Sequence, residues 1–202
     1  MPTLNGDTHL TTMTASTVLL LLDIQNGIVE RAGMTQSYLD AVSQTLKAAR
    51  AAHVQVIHVL TAFRPGYPEA SSRNGTKERI ASWGDGVFIE GHPSTQLHPV
   101  TTPVEGEMVV TKRRVSAFHG TDLDLILRSI GAETLVIAGL ITSGAVLSAV
   151  RQAADLDYKQ IVLEDLCADP DAEVHDLLVK KVLSKQATVM SLSEWTAGLG
   201  KD

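Results

Sequence analysis

Three places in the chain put ionisable groups or backbone donors where chemistry could start. Asp23 follows four leucines, Lys112 ends the short run Met108–Lys112, and Gly139–Ala145 is a stretch of small and hydroxyl residues feeding a helical segment. A carboxylate after a leucine run must keep its charge near water or a cation. Lys112 is a candidate partner, so the two read either as an acid/base couple or as a structural ion pair. The Gly139–Ala145 segment would present backbone N–H groups at a helix start, a place for an anion or oxyanion. Without further context the segment reads first as an ordinary helix cap by Thr142 or Ser143. The single cysteine, Cys167, excludes an internal disulfide, and no C-x-x-C or His/Cys cluster offers ligands for zinc or iron–sulfur. No cofactor and no metal are expected.

The elements that must hold these groups alternate regularly. Short apolar runs that suit strands buried on both faces are expected at Thr17–Asp23, Val54–Leu60, Met108–Lys112, Thr134–Gly139, Gln160–Asp165 and Ala187–Leu192. Helical spacing lies between them: Gln36–His53 with Leu39, Val42, Leu46 and Ala49 on one face, Asp122–Ser129 after Thr121, Ala145–Leu156, Pro170–Ser184, and a short helix around Trp195. Such alternation predicts an α/β fold, a three-layer α/β/α sandwich on a six-stranded, mainly parallel sheet, with its site at the carboxyl ends of the strands. From Thr61 to Glu107 the pattern dissolves into Pro, Gly and Ser, broken by a short helix around Lys77–Trp83. A stretch that long inside a compact domain reads as a substrate-covering excursion. Residues 1–16 read as a flexible arm and 17–202 as one domain.

Composition narrows the function classes. The 202 residues are 44% hydrophobic and 20% charged, enough for an ordinary core. Seventeen Lys and Arg against 23 Asp and Glu give a net charge of −6, and the longest basic run is Lys112-Arg113-Arg114, so a nucleic-acid groove is not expected. No apolar run approaches the roughly 20 residues of a membrane span. No secretory pattern opens the chain, and with its lone cysteine a cytoplasmic location is expected.

Taken in order, the motifs resemble one family. They are D-x-Q (Asp23, Gln25), K-x-x-x-S-A-F (Lys112, Ser116, Ala117, Phe118), T-x-L (Thr121, Leu123), G-x-x-T (Gly139, Thr142) and V-x-x-x-x-R-x-A-x-D-x-x-Y (Val146 to Tyr158). Together they are similar to the isochorismatase-like, or cysteine hydrolase, superfamily, whose fold is Rossmann-like. The resemblance implies a catalytic Asp, Lys and Cys, in which Cys attacks a carbonyl or nitrile carbon. Asp23 and Lys112 match the first two. The third position, three residues after Thr142, is Ala145, and a methyl group is no nucleophile. Cys167, expected beyond the fifth strand, does not replace it, and Ser143 and Ser148 have no recognisable base.

Three readings of Ala145 stand side by side. The chain is a hydrolase naturally without the nucleophile, acting on a small anionic molecule, such as the vinyl ether isochorismate with Asp23 as general acid. Alternatively it is a C–N hydrolase carrying a Cys→Ala change, or a catalytically inactive binding protein on the same fold. The resemblance further implies an oxyanion site at the Ile141 and Ala145 N–H groups, with a cis peptide before Ile141. Gln25, Arg64, Tyr67, Phe118 and Thr142 are the candidate substrate contacts, with Arg73 and Asn74 as further loop candidates. His119 reads as facing either the crevice or solvent. The nicotinamidase metal ligands have no counterpart in Thr61–Tyr67. Assembly as a homodimer or homotetramer is expected.

Overall fold

The structure, a computed structural model, describes residues 16–199, so the expected arm lies outside the described residues apart from Ser16. Six strands, β1 (Thr17–Leu22), β2 (Gln55–Thr61), β3 (Met108–Lys112), β4 (Thr134–Leu140), β5 (Lys159–Ala168) and β6 (Thr188–Met190), form one sheet in the order β3-β2-β1-β4-β5-β6. Every pairing is parallel.

The leucine run of β1 is explained by its two covered faces. Leu20 and Leu22 join Ile57, Val59 and Ile137 under the helices Leu123–Ser129 and Leu147–Asp155. Leu19 and Leu21 join Val56 and Val136 under Gln36–Ala51 and Leu192–Gly198. Each such leucine contributes about 1.5–3 kcal/mol of burial, which fixes the central strand firmly. Chain order reverses between β1 and β4, the place where crossovers diverge and a crevice opens at the carboxyl ends. Here the backbones approach closely. A Cβ at Gly139, which has φ 131°, would lie 2.1 Å from the Leu22 carbonyl oxygen. Only glycine fits.

Several element boundaries differ from the sequence expectation for identifiable reasons. Asp23 is not the last residue of β1: it turns off the strand with φ 54°. The first helix after β1 is Asn26–Arg31, unforeseen because its six residues are too few to show a period. The Gln36–Ala51 helix stops before His53, whose φ of 55° is left-handed. β5 runs on to Ala168, so Cys167 is a buried strand residue paired with Gly139 rather than a residue beyond the strand. The next helix begins at Ala172, two residues after Pro170, because the Asp171 carboxylate accepts the Glu173 and Val174 N–H groups. β6 is only three residues long, since Ser191 and Glu194 form a capping box that starts the last helix.

The excursion 62–107 carries the helix Thr76–Ala81 and two single turns, Pro93–Thr95 and Pro99–Thr101. Phe63, Ile80 and Phe88 give it a small core of its own. It seats on the Asn26–Arg31 helix at Gly27, where a Cβ would stand 2.6 Å from the Ser94 Cβ. Among the described residues no helix is long and apolar enough to cross a membrane.

Candidate active site

At the carboxyl ends of β1, β2 and β3 three side chains close a ring. Lys112 Nζ lies 2.8 Å from Asp23 Oδ2 and donates to Thr61 Oγ1 at 2.8 Å, while Thr61 Oγ1 donates to Asp23 Oδ1 at 3.0 Å. The parallel register explains the arrangement: Thr61 pairs with Lys112, and the Asp23 N–H reaches the Val59 carbonyl at 2.8 Å. The third ammonium proton goes to the Arg114 carbonyl at 3.3 Å. Asp23 and Lys112 keep only 7% and 5% side-chain exposure, so water screens the pair weakly. Both carboxylate oxygens accept, and all three lysine protons donate.

Gln25, expected to touch substrate, is instead fully buried and spent on the backbone. Its Oε1 accepts the Thr61 N–H at 2.7 Å, and its Nε2 donates to the Thr61 and Thr95 carbonyls at 3.0 and 2.8 Å. It therefore holds Thr61 in place and ties the excursion to the ring. Thr61 itself was invisible in the sequence as a site residue, because nothing distinguishes it from any strand threonine.

At the end of β4 the peptide Leu140–Ile141 is cis. The chain then makes a wide helical turn, Thr142–Val146, in which the Ile141 carbonyl accepts the Gly144 and Val146 N–H groups at 3.0 and 3.3 Å. The expected caps are absent. The Thr142 hydroxyl, fully buried, meets His175 Nδ1 at 2.8 Å, and the Ser143 N–H donates to Asp169 Oδ2 at 2.8 Å. Neither Asp169 nor His175 was singled out in the sequence. Ala145 is buried in this turn, in the same core cluster as Leu22, Ala117, Phe118 and Cys167. Because Leu22 is in register with Gly139, the turn leaves the sheet beside the point where Asp23 leaves β1.

The other expected contacts have partners of their own. Phe118 is buried, with its ring 6.2 Å from that of Tyr158, in the cluster that also holds Ala145. Arg64 is 58% exposed at its side chain and pairs with Glu69 at 2.6 Å, and the Tyr67 hydroxyl donates to the Val87 carbonyl at 2.8 Å. Both are committed within the excursion, where Arg113 also bridges Glu69 and Glu90. Arg73, Asn74 and His119 are exposed. Burial pushes the Cys167 thiol up to about 12, so it is inert at neutral pH. Among the described residues no group of three or more His, Cys, Asp or Glu side chains could hold a metal ion.

Comparison with known proteins agrees with this geometry. A family model described as an isochorismatase domain matches residues 17–194. Ureidoacrylate amidohydrolase RutB of Methylorubrum extorquens is 31% identical over 170 residues, 74% of this chain and 68% of that protein. The uncharacterized isochorismatase family protein YecD of Escherichia coli O157:H7 is 30% identical over 183 residues, covering 89% of this chain and 94% of that one. Among solved structures, an isochorismatase family protein from Desulfovibrio vulgaris superposes with TM-score 0.81 at 26% identity, covering 92% of this chain and 99% of that one. N-carbamoylsarcosine amidase from Thermoplasma acidophilum does so with TM-score 0.71 at 25% identity, covering 88% and 96%. A six-stranded parallel sheet with a buried Asp–Thr–Lys ring at its switch point thus sits on a sequence match that spans nearly every described residue, and the chain belongs to the isochorismatase family of hydrolases.

Proposed function

We propose that the protein hydrolyses a small carboxylate-bearing molecule with water in place of a thiol nucleophile, Asp23 moving the proton and Lys112 supporting the charge. The observation that carries this reading is the buried Asp23–Thr61–Lys112 ring beside a turn whose residue 145, the family's nucleophile position by resemblance, is alanine. Each Asp23 oxygen has lone pairs beyond the one bond it accepts, so the carboxylate is able to take a proton from water. The water oxygen adds to the carbonyl carbon of a C–N substrate, and the oxyanion so formed faces the Ile141 and Ala145 amides. Asp23 then returns the proton to the leaving nitrogen as the C–N bond breaks.

Two features support the substrate class. The relative named for ureidoacrylate hydrolysis acts on a carboxylate. The Arg114 carbonyl receives a Lys112 proton; the exposed Arg114 side chain donates to the Arg113 carbonyl at 2.8 Å, and none of the ion pairs among the described residues involves its guanidinium. It is suited to a substrate carboxylate.

Vinyl-ether hydrolysis of isochorismate with Asp23 as general acid is the second reading, favoured by Ala145 because that reaction needs no covalent nucleophile. It requires a proton on Asp23, whereas both oxygens accept bonds from Lys112 and Thr61, the pattern of a carboxylate. Base catalysis is therefore preferred. To test it, the protein is supplied with ureidoacrylate and, separately, with isochorismate. C–N cleavage and pyruvate release are followed together with the intact mass of the protein. Turnover without a covalent adduct is expected. An adduct of acyl-enzyme mass would overturn water as the nucleophile. Saturable binding of both compounds with turnover of neither would make the protein a binding protein.

A further inference from the structure

The Thr142–Val146 turn is gripped from outside the sheet. Two consecutive residues are held by the segment that follows β5: Thr142 through its hydroxyl to His175 Nδ1, and Ser143 through its N–H to Asp169 Oδ2, each at 2.8 Å. Asp169 is in turn oriented by the Asp171 N–H at 3.2 Å, and His175 by its own N–H on the Asp171 carbonyl at 3.0 Å. Thr142 has no exposure at all, so its hydroxyl cannot exchange His175 for bulk water. His175 is only half-buried, and its Nε2 has no hydrogen-bond partner among the described residues.

We infer that His175 is a positioning residue of the site: through Nδ1 it fixes the Thr142 hydroxyl and, with Asp169, keeps the turn in the shape that aims the Ile141 and Ala145 amides at the developing oxyanion. This rests on the water-nucleophile reading above. An oxyanion exists only after water has added, so loosening the amides weakens the transition state and leaves ground-state binding intact.

The experiment compares His175→Ala with His175→Asn, whose side-chain amide reaches the place of Nδ1 and retains the bond to Thr142. On whichever substrate the wild type turns over, His175→Ala is expected to lower kcat on the order of 10- to 100-fold with little change in KM, the scale of a misaimed catalytic group. His175→Asn is expected to restore most of the loss. Amide hydrogen exchange supplies a readout that needs no turnover. His175→Ala should speed exchange at Thr142–Val146 while β1 and β4 stay protected, and His175→Asn should return it to the wild-type rate. Unchanged exchange in the turn overturns the proposal. So does equal loss of turnover in both variants, or faster exchange throughout the sheet, since each marks His175 as a residue of the fold alone. Should the wild type turn over nothing, the hydrolase reading fails by itself and the exchange result still decides the grip on the turn.

Discussion

Replacing Lys112 by Met tests whether the ring is held by charge. Methionine keeps most of the length and apolar stem of lysine but leaves the Asp23 carboxylate with Thr61 Oγ1 as its one remaining partner in the ring. At 7% side-chain exposure that carboxylate cannot recover its hydration. Breaking a buried pair by removing one partner costs about 3–5 kcal/mol. For a chain of this size each kcal/mol moves Tm by about 2–4 °C, so a fall of roughly 6–20 °C is expected. Adding Asp23→Asn to Lys112→Met removes the stranded charge. The double variant should therefore be more stable than Lys112→Met alone, although it carries one more substitution. Urea denaturation followed by circular dichroism at neutral pH reads all four corners of the cycle. If Lys112→Met costs less than about 1 kcal/mol, or the double variant loses the sum of the two singles, the pair is not electrostatically coupled and the reasoning fails.

Other expectations can be checked with equally simple variants. Burial works to raise the Glu107 carboxyl, but hydrogen bonds from Arg50, His58 and the Val104 N–H prevail and hold it at about 2; its folded value lies below its unfolded one, so it adds stability above about pH 4.5 that is lost as pH falls toward 2. Burial lowers the pKa of His58 against the opposing pull of Glu107, so stability also falls as pH drops below about 6.5; urea midpoints should decline from pH 7 to pH 3, and a flat profile would contradict this network. Gly139→Ala, with its Cβ 2.1 Å from a backbone oxygen, should cost more than about 3 kcal/mol, whereas Gly106→Ala, also at positive φ but with nothing within 4 Å, should cost about 1–2 kcal/mol; equal Tm losses would refute the close approach of β1 and β4. Ala145→Cys should take up one equivalent of iodoacetamide in the native protein, more slowly once Asp23→Asn is added, while wild-type Cys167, held up to about 12 by burial, takes up none. Modification of the wild type, or no effect of Asp23→Asn, would count against the geometry.

The sheet was legible because strands covered on both faces must be apolar throughout, and Val18–Leu22 and Leu135–Ala138 admit no other reading. Asp23 and Lys112 were legible for the complementary reason: a charge at the end of such a run must find a partner, and here each is the other's. Their connecting group was not. Thr61 is 38 residues from Asp23 and 51 from Lys112, and only the parallel register brings the three together. Asp169 and His175 were hidden likewise, 26 and 33 residues from the groups they hold. The end of β5 was misplaced because Glu164-Asp165 looks like a polar strand end. In the fold Asp165 stays within the strand because its carboxylate accepts the Leu192 N–H that starts the last helix. The Asn26–Arg31 helix draws its stability from tertiary contact at Gly27, which no local propensity reports.

The most direct test of the central claim is the hydrolysis rate of the wild type against Asp23→Asn, measured side by side on the better of ureidoacrylate and isochorismate, with both proteins shown to be folded. Loss of proton transfer at Asp23 should lower kcat by about 10²- to 10⁴-fold. A folded Asp23→Asn protein that turns over at the wild-type rate would contradict Asp23 as the group that moves the proton.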